Sequence, residues 1–287
     1  AFMTSMPLSR RIRRWKFGLK TLFGSSPAGY FIPYRYADET AKTVGQPTYP
    51  AIERMMDHAA PTMKAWLTKS EKYQSIFDTL NDAVPPEPRW QQSWFPRLDG
   101  MMAYVMTREF RPKRIVEIGS GHSTRFYHRA IRDGDLETAF HAIDPAPRAD
   151  IAELPITVEK TIVQKADPAI FETIEGADIL SIDSSHILMP GTDVDLLFSS
   201  VIPTLPSGTI LHIHDITLPD DYPSEWQWRG YNEQQGVASL LAGNGFEILW
   251  SSAYATTRLQ ELVDASPARS IHLPKGAIET SLWLHKK

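Results

Sequence analysis

The stretch that most constrains the fold of this chain is the run RIVEIGSGHST at residues 114–124. Its first half contains three β-branched residues interrupted only by Glu117, a pattern typical of a buried parallel strand. Two glycines follow, and apolar residues then recur at helical spacing, with Ser123 placed to cap the helix. Where a strand, a glycine turn and a helix N-terminus meet, backbone N–H groups face outward and a ligand can approach the main chain. The run therefore predicts a ligand-binding turn in an α/β sheet.

Two kinds of ligand fit such a turn. A dinucleotide favours three glycines in the pattern G-x-G-x-x-G, but the third position here is Thr124. S-adenosylmethionine favours an acidic residue at the end of the strand, two residues before the first glycine, and that residue is Glu117. A glycine turn that binds no ligand is the third possibility. The run alone does not decide among the three.

The chain beyond this run continues to alternate strand and helix patterns. Six more strands are predicted, at residues 140–143, 162–164, 179–182, 209–214, 246–250 and 280–284. Among the intervening helices, the one that Asn232 opens has a capping-box pattern with Gln235. Seven strands with helices between them and a hairpin-like end predict an α/β fold with an open, doubly wound, Rossmann-like sheet.

The first ninety residues have a different pattern. Residues 51–84 predict two helices, the first ended by Pro61, with a methionine and aromatic stripe that we assign to packing. Residues 85–88, Pro-Pro-Glu-Pro, are a stiff linker and the best domain boundary. We therefore expect an N-terminal helical region at 1–90 and a main domain at 91–287. The first would cover the site as a lid, for which the aromatic and irregular segment 30–50 is the candidate unless it is a surface coil, or form a homodimer interface.

The N-terminus is the one place where charge is strongly uneven. Six basic residues lie between positions 10 and 20, well before the first acidic residue, Asp38, and these are Arg10, Arg11, Arg13, Arg14, Lys16 and Lys20. Ile12, Trp15, Leu19 and Leu22 fall on one side of a helix through the same segment. A basic amphipathic helix predicts peripheral membrane contact or an acidic partner, or else packing on the domain or on a second subunit.

Composition narrows the class of protein. A formal net charge of −4 gives no reason to expect nucleic acid as a partner. Cysteine is absent, which excludes disulfides and thiolate metal sites and fits a reducing compartment, so we expect a cytoplasmic protein. No apolar run reaches the roughly 18 residues of a membrane span, and no apolar core of a signal peptide follows the basic segment.

Polar residues follow four of the predicted strands at the point where each strand ends. They are residues 117–121, Asp144, residues 183–186, and the pair His214-Asp215. In an open α/β sheet, ligands bind beyond the carboxyl ends of the strands, where the strand order reverses. Asp144 can accept both hydroxyls of a ribose there, a contact that serves NAD and S-adenosylmethionine alike.

The stretch VEIGSGHST resembles motif I of the class I S-adenosylmethionine-dependent methyltransferases. The pieces HAIDPAP, ADILSIDSSH, LPSGTILHIHDI and YNEQ extend this resemblance to the small-molecule O-methyltransferase branch, which includes the catechol and macrocin types, over about residues 94–287. The resemblance implies S-adenosylmethionine as cofactor and a last strand antiparallel beside the fifth. It also implies that the adenine lies near residues 164–167. Cofactor contacts are expected from Glu117, Gly119, Ser120, Gly121, His122, Ser123, Asp144, Pro145 and Asp183.

In that branch a divalent metal is commonly held by the acids that end the fourth and fifth strands, here Asp183 and Asp215. Such an oxygen-rich site suits Mg²⁺, which polarises a substrate hydroxyl. The catechol type has Asp-Asn where this chain has Asp215-Ile216, and the macrocin type has Asp-Asp where it has His214-Asp215. A metal ligand is therefore missing or replaced by imidazole, and metal dependence stays open.

Methyl transfer requires in-line alignment of donor and acceptor and removal of a proton from the attacking oxygen. Histidine suits that removal near neutral pH. His186, three residues after Asp183, stands where the catechol-type pattern has a lysine base, and it is the first candidate. His214 is the second. His212 faces the same side of its strand as His214, so one of this pair is expected to pack against a helix.

The sequence thus predicts transfer of a methyl group from S-adenosylmethionine to a hydroxyl of a small metabolite or sugar-containing natural product. Oxygen or nitrogen as acceptor is left open. The alternatives are an NAD-dependent oxidoreductase on a similar sheet and a non-catalytic cofactor-binding protein that docks through its basic N-terminus. Glu233 and Gln234 begin a helix at the rim of the site, where they contact substrate or only favour the helix dipole.

Overall fold

A computed structural model of the chain describes residues 8–40, 48–81, 83–147 and 150–287. The chain divides into two compact units, Ala1–Val44 and Gly45–Lys287. The first unit contains helices α1, Leu8–Phe23, and α2, Ala37–Thr40. Of the aromatic segment expected as a lid, residues 30–36 are described and exposed, whereas residues 41–47 lie outside the described part of the chain. Its role as a lid stays a prediction.

The second unit is built on a seven-stranded sheet. Its strands are β1 Arg114–Ile118, β2 Ala139–Ile143, β3 Thr157–Glu159, β4 Ile179–Ile182, β5 Ile210–Ile213, β6 Phe246–Ser251 and β7 Leu282–Lys286. Their spatial order is β3-β2-β1-β4-β5-β7-β6. The first five strands are mutually parallel, and β7 runs antiparallel between β5 and β6. The doubly wound sheet and the placement of the last strand beside the fifth are confirmed.

Helices cover the sheet and supply the polar loops with fixed ends. They are α3 Pro50–Ser70, α4 Gln74–Asp78, α5 Arg97–Phe110, α6 His122–Asp133, α7 Ala169–Glu172, α8 Asp193–Leu196, α9 Glu233–Ala242, α10 Ser252–Arg258 and α11 Gln260–Asp264. Within the described part of the chain, no helix is both long enough and apolar enough to cross a bilayer.

One hydrophobic cluster joins helices α3 and α4 to the sheet. Met56, Phe77 and Trp90 are fully buried in the same cluster as the strand residues Val116 and Leu180. Apolar burial of this kind stabilises by about 25 cal/mol per Å², so these two helices are held to the sheet by its core. The second compact unit, Gly45–Lys287, contains both helices, and the domain boundary chosen at the Pro-rich linker stays a prediction.

Three local expectations were wrong. Helix α3 continues through Pro61, because Met56, Met63 and Trp66 on either side of the proline bury one continuous face. The third strand is β3 at Thr157–Glu159, and residues 163–165 form a 3₁₀ turn after it. Asn232 precedes helix α9 but does not cap it, since its side chain exchanges hydrogen bonds with the backbone of Leu188.

Candidate active site

The glycine turn lies at the switch point of the sheet, where β1 has β2 on one side and β4 on the other. Gly119 has a φ of +81°, and a Cβ at this position would lie 1.9 Å from the carbonyl oxygen of Asp183. Only glycine fits such an approach of two backbones. The amide of Gly119 also donates to the carbonyl of Ile143, and the amide of Asp183 donates to that of Ile118, both at 2.9 Å. The polar ends of β1, β2 and β4 are therefore fixed against one another.

Glu117 is fully buried and holds the turn to helix α6. Its Oε1 accepts a hydrogen bond from Ser123 Oγ at 2.6 Å, and its Oε2 accepts one from Thr124 Oγ1 at 2.5 Å. Thr124 Oγ1 in turn accepts from the Gly121 amide at 2.9 Å. Burial raises the pKa of Glu117 to about 8, and the two hydroxyl hydrogen bonds oppose that rise.

The helix cap differs from the one expected. Helix α6 begins at His122 with Gly121 as its N-cap, so Ser123 lies inside the first turn and Thr124 supplies the capping side chain. Thr124 occupies the position of the third dinucleotide glycine. The hydroxyl of this residue links the carboxyl group of Glu117 to the start of the helix.

Asp144 holds the opposite side of the same turn. Its Oδ2 accepts from the amide and the hydroxyl of Ser120, at 2.7 and 2.8 Å, and its Oδ1 accepts from the Ala146 amide at 2.7 Å. The side chain is buried, whereas the adjacent Pro145 is exposed. Two acidic side chains thus determine the shape of the glycine turn. Glu117 holds it from beneath helix α6, and Asp144 holds it from the end of β2.

Three nitrogen-bearing side chains meet near the start of α6. Within the described residues, His122 Nδ1, Arg125 Nη1 and Arg89 Nε are buried and have no hydrogen-bond partner. Burial, then the charges of Arg125 and Arg89, lower the pKa of His122 to about 4. Arg125 is only 3% exposed and uses its Nε and Nη2 on the carbonyl of Asp150. Buried donors without partners are uncommon, so this cluster is suited to an anion.

Asp183, His186, His214 and Asp215 form a second cluster beside the turn. His186 Nε2 lies 3.3 Å from Asp183 Oδ1 and 3.5 Å from Asp215 Oδ2. His214 Nδ1 lies 3.5 Å from the same Asp183 oxygen and 3.7 Å from Asp215 Oδ1. The Asp183 side chain is 35% exposed, whereas both imidazoles are buried. A molecule approaching from solvent therefore meets Asp183 first.

A buried carboxylate orients each of the two imidazoles. His186 Nδ1 pairs with Glu233 Oε2 at 2.8 Å, and His214 Nε2 pairs with Asp99 Oδ2 at 3.3 Å. Glu233 therefore lies behind the candidate base. Gln234 is also buried, and its side chain binds Thr217.

Burial lowers the pKa of both histidines, but their carboxylate partners outweigh it. For His186 the partners are chiefly Asp183 and Glu233, and for His214 they are Asp183 and Asp99. The net result is a pKa well above the usual histidine range for each ring. The surrounding acids therefore favour the imidazolium form of each ring.

Asp99, Arg229 and Tyr231 are site residues that sequence reasoning missed. Asp99 is fully buried in the first turn of α5, where it also accepts from the amides of Thr280 and Ser281. Arg229 Nη1 lies 3.5 Å from Asp215 Oδ2, and the Tyr231 ring centroid is 4.6 Å from that of His186. Of these three, only Asp99 could have been suspected from the sequence, because an acid among the apolar residues of a buried helix is unusual.

Of the two histidines His212 and His214, it is His212 that packs in the core. It is fully buried, its ring stacks on Trp283 at 4.4 Å, and its Nδ1 lies 2.9 Å from both Tyr127 Oη and Ser181 Oγ. Burial lowers its pKa to about 3, with a smaller contribution from the charge of His214. His212 is therefore neutral and satisfied, and it takes no part in the cluster around Asp183.

Imidazole nitrogens lie against both expected magnesium ligands. His186 Nε2 is 3.3 Å from Asp183 Oδ1, and His214 Nδ1 is 3.7 Å from Asp215 Oδ1. Mg²⁺ favours near-octahedral oxygen ligands, and no group of three or more His, Asp or Glu side chains in the described ranges is arranged to hold a metal ion. The Mg²⁺ site at Asp183 and Asp215 stays a prediction that metal removal tests.

A surface cavity of about 540 Å³ lies at the other edge of the sheet, away from both clusters. Its lining includes Trp66, Phe110 and His285. His285 pairs with Ile210, the first residue of β5, so the cavity is at the amino ends of the parallel strands. Catalytic side chains in such sheets lie at the carboxyl ends, which favours the two polar clusters as the candidate site.

Comparison with known families places a methyltransferase domain over this site. A family model described as a methyltransferase domain matches residues 116–216, about a third of the chain, from β1 to the residue after Asp215. The match includes the glycine turn, Asp144, Asp183, His186 and His214. The predicted methyltransferase domain is confirmed over these residues. No curated protein sequence matches the chain.

Several solved methyltransferases are similar to this chain at low identity. PaMTH1 of Podospora anserina, solved with S-adenosylhomocysteine (SAH), is 15% identical over 90% of this chain and 99% of its own, with a TM-score of 0.43. The O-methyltransferase of Bacillus cereus, solved with SAH, is 12% identical over 78% and 91%, with a TM-score of 0.42. CmcI, solved with Mg and S-adenosylmethionine, is 15% identical over 72% and 79%, with a TM-score of 0.41.

Proposed function

We propose that this chain, whose residues 116–216 are a methyltransferase domain, transfers the methyl group of S-adenosylmethionine to a hydroxyl of a small metabolite or sugar-containing natural product. One observation supports this most strongly. The glycine turn and the histidine–carboxylate cluster touch through the backbones of Gly119 and Asp183, so a cofactor on the turn would have its reacting end beside the candidate base.

The cofactor contacts we propose are those of the turn and its neighbours. Gly119, Ser120, Gly121, His122 and Ser123 would surround the methionine portion, Asp144 and Pro145 would meet the ribose, and Asp183 would lie near the sulfur. Glu117 contributes by holding the turn. We place the methionine carboxylate beside His122, Arg125 and Arg89. Their buried nitrogens have no partner, and an anion there would give them hydrogen bonds. For the adenine we retain the segment near residues 164–167.

The acceptor hydroxyl would bind at Asp183, the most exposed member of the cluster. When bound, S-adenosylmethionine supplies a methyl group already activated by its sulfonium. His186 is the first candidate to take the hydroxyl proton and His214 the second. In its neutral form, an imidazole whose pKa is raised is a stronger base, and Glu233 or Asp99 would stabilise the imidazolium that forms.

The side chains beside the histidine–carboxylate cluster indicate the kind of acceptor. Arg229 and Tyr231 form a polar and aromatic wall beside Asp215 and His186, which suits a hydroxylated small molecule. Because imidazoles lie against both Asp183 and Asp215, we route no step through a metal. A chain without cysteine is suited to the cytoplasm, where we place it.

No observation favours the alternatives. The third glycine of a dinucleotide turn is replaced by Thr124, whose hydroxyl is already used on Glu117 and the Gly121 amide. A protein that only binds the cofactor would have no need of two oriented imidazoles beside the turn. We therefore retain the methyltransferase and not the NAD-dependent oxidoreductase or the non-catalytic module.

Calorimetric titration with SAH tests the proposal directly. The chain should bind SAH and give no heat with NAD. Asp144→Asn should weaken SAH by about 10- to 100-fold, because a neutral amide replaces a charged acceptor for the ribose hydroxyls. Glu153→Gln, an exposed acid in the segment after the same strand, is the matched control and should bind as the parent does. Binding of NAD without binding of SAH would overturn the assignment.

A further inference from the structure

Helix α1 separates its apolar and basic side chains sharply. Around a helical wheel, Leu8, Ile12, Trp15, Leu19, Leu22 and Phe23 fall within an arc of about 100°. Arg11 and Lys16 border that arc, and Arg13, Arg14 and Lys20 lie on the remaining surface. Long basic side chains at the edges of an apolar arc can place their charges at a polar boundary while their stems cover apolar surface.

The apolar arc is exposed. Each of its six side chains is at least half exposed, with Phe23 at 82%. Of the seventeen large hydrophobic side chains exposed in the described residues, twelve lie between Leu8 and Tyr36. The excess continues beyond the helix as Phe31, Ile32 and Tyr34. Single exposed apolar residues are ordinary, but a concentration of this size marks a binding surface.

Charge identifies the kind of partner. Residues 8–23 contain six basic residues and no acidic one, in a chain whose formal net charge is −4. We propose that α1 binds in the plane of a membrane surface rich in anionic lipid, with Trp15 and its apolar neighbours in the interface and the basic side chains on the headgroups. A second copy of the same helix is a poor partner, because pairing would bring like charges together without a single acid between them.

Vesicle sedimentation with the full chain tests the proposal. The protein should bind phosphatidylcholine vesicles that contain about one-third phosphatidylglycerol and fail to bind pure phosphatidylcholine, and added salt should weaken the binding. The double variant Arg13→Glu/Arg14→Glu should weaken binding at least tenfold. Trp15→Ala, which keeps every charge, should also weaken it, since apolar insertion contributes separately from charge.

Matched controls make the result specific. Lys160→Glu/Lys275→Glu reverses the same number of charges at exposed positions outside the helix and should bind vesicles as the parent does. SAH titration of every variant checks that the second compact unit is folded, and a methyltransferase that fails on all substrates would still bind vesicles. Equal loss in the control, or no binding to anionic vesicles, would overturn the proposal. Self-association that depends on Trp15 without vesicle binding would assign the helix to a homodimer instead.

Discussion

Replacing Glu117 by glutamine should make the stability of the protein respond differently to pH. The folded carboxyl has its pKa raised to about 8 by burial, against an unfolded value of 4.5. Stability from this group is therefore fully present below pH 4.5 and is lost as pH rises through 8, because the unfolded chain ionises first. At 1.36 kcal/mol per pH unit, the loss reaches about 4 kcal/mol by pH 8.

Glu117→Gln removes this loss but adds a constant penalty. The amide nitrogen replaces one of the two carboxyl oxygens beside the Ser123 and Thr124 hydroxyls, and the weakened hydrogen bond costs about 1–2 kcal/mol. The variant should therefore be less stable than the parent at pH 5 and at least as stable at pH 8.

Urea unfolding at intervals between pH 5 and 8 measures the difference, with Glu153→Gln as the exposed control. The difference between Glu117→Gln and the parent should change by several kcal/mol across this window. A constant difference would refute the argument, since it would mean that the carboxyl ionises in the folded protein much as it does in the unfolded chain.

Three further predictions concern the turn and the histidine cluster. Gly119→Ala should abolish SAH binding and lower the unfolding midpoint, because its Cβ would meet the Asp183 carbonyl at 1.9 Å; full SAH affinity would show that the turn can relax. His186→Gln should lower kcat by about 100-fold or more with SAH affinity nearly unchanged, and an unaltered kcat would move the base to His214. EDTA should leave methyl transfer unchanged, because imidazoles lie against both Asp183 and Asp215; loss restored by Mg²⁺ would show that a ring moves aside.

Local patterns were enough to predict the framework of the fold. The β-branched run at 114–118 and its glycines located the switch point, and the acids at 144, 183 and 215 marked strand ends because parallel strands end at one edge. The weakest strand was misplaced. At three residues, β3 has no periodicity long enough to distinguish Thr157–Glu159 from the apolar residues just after it.

The site was predicted only in part, because half of it depends on contacts distant in sequence. Asp99 reaches His214 across 115 residues, and Glu233 reaches His186 across 47. Neither acid has a sequence signal that points to a histidine partner, since both read as first-turn acids of a helix. The raised pKa of each imidazole could not be predicted either, since it arises from contact with these carboxylates.

The contact between Gly119 and the Asp183 carbonyl has a consequence for how this enzyme can change. The glycine turn would bind the methyl donor, and the loop after β4 would activate the acceptor. The two are in direct backbone contact at Gly119 and Asp183, with no room for a side chain between them. A substitution that displaces the end of β4 to admit a bulkier alcohol should therefore also disturb the glycine turn that would bind the cofactor. New acceptor preferences are more readily reached from the far wall, at Arg229 and Tyr231, where side chains can vary without shifting that junction.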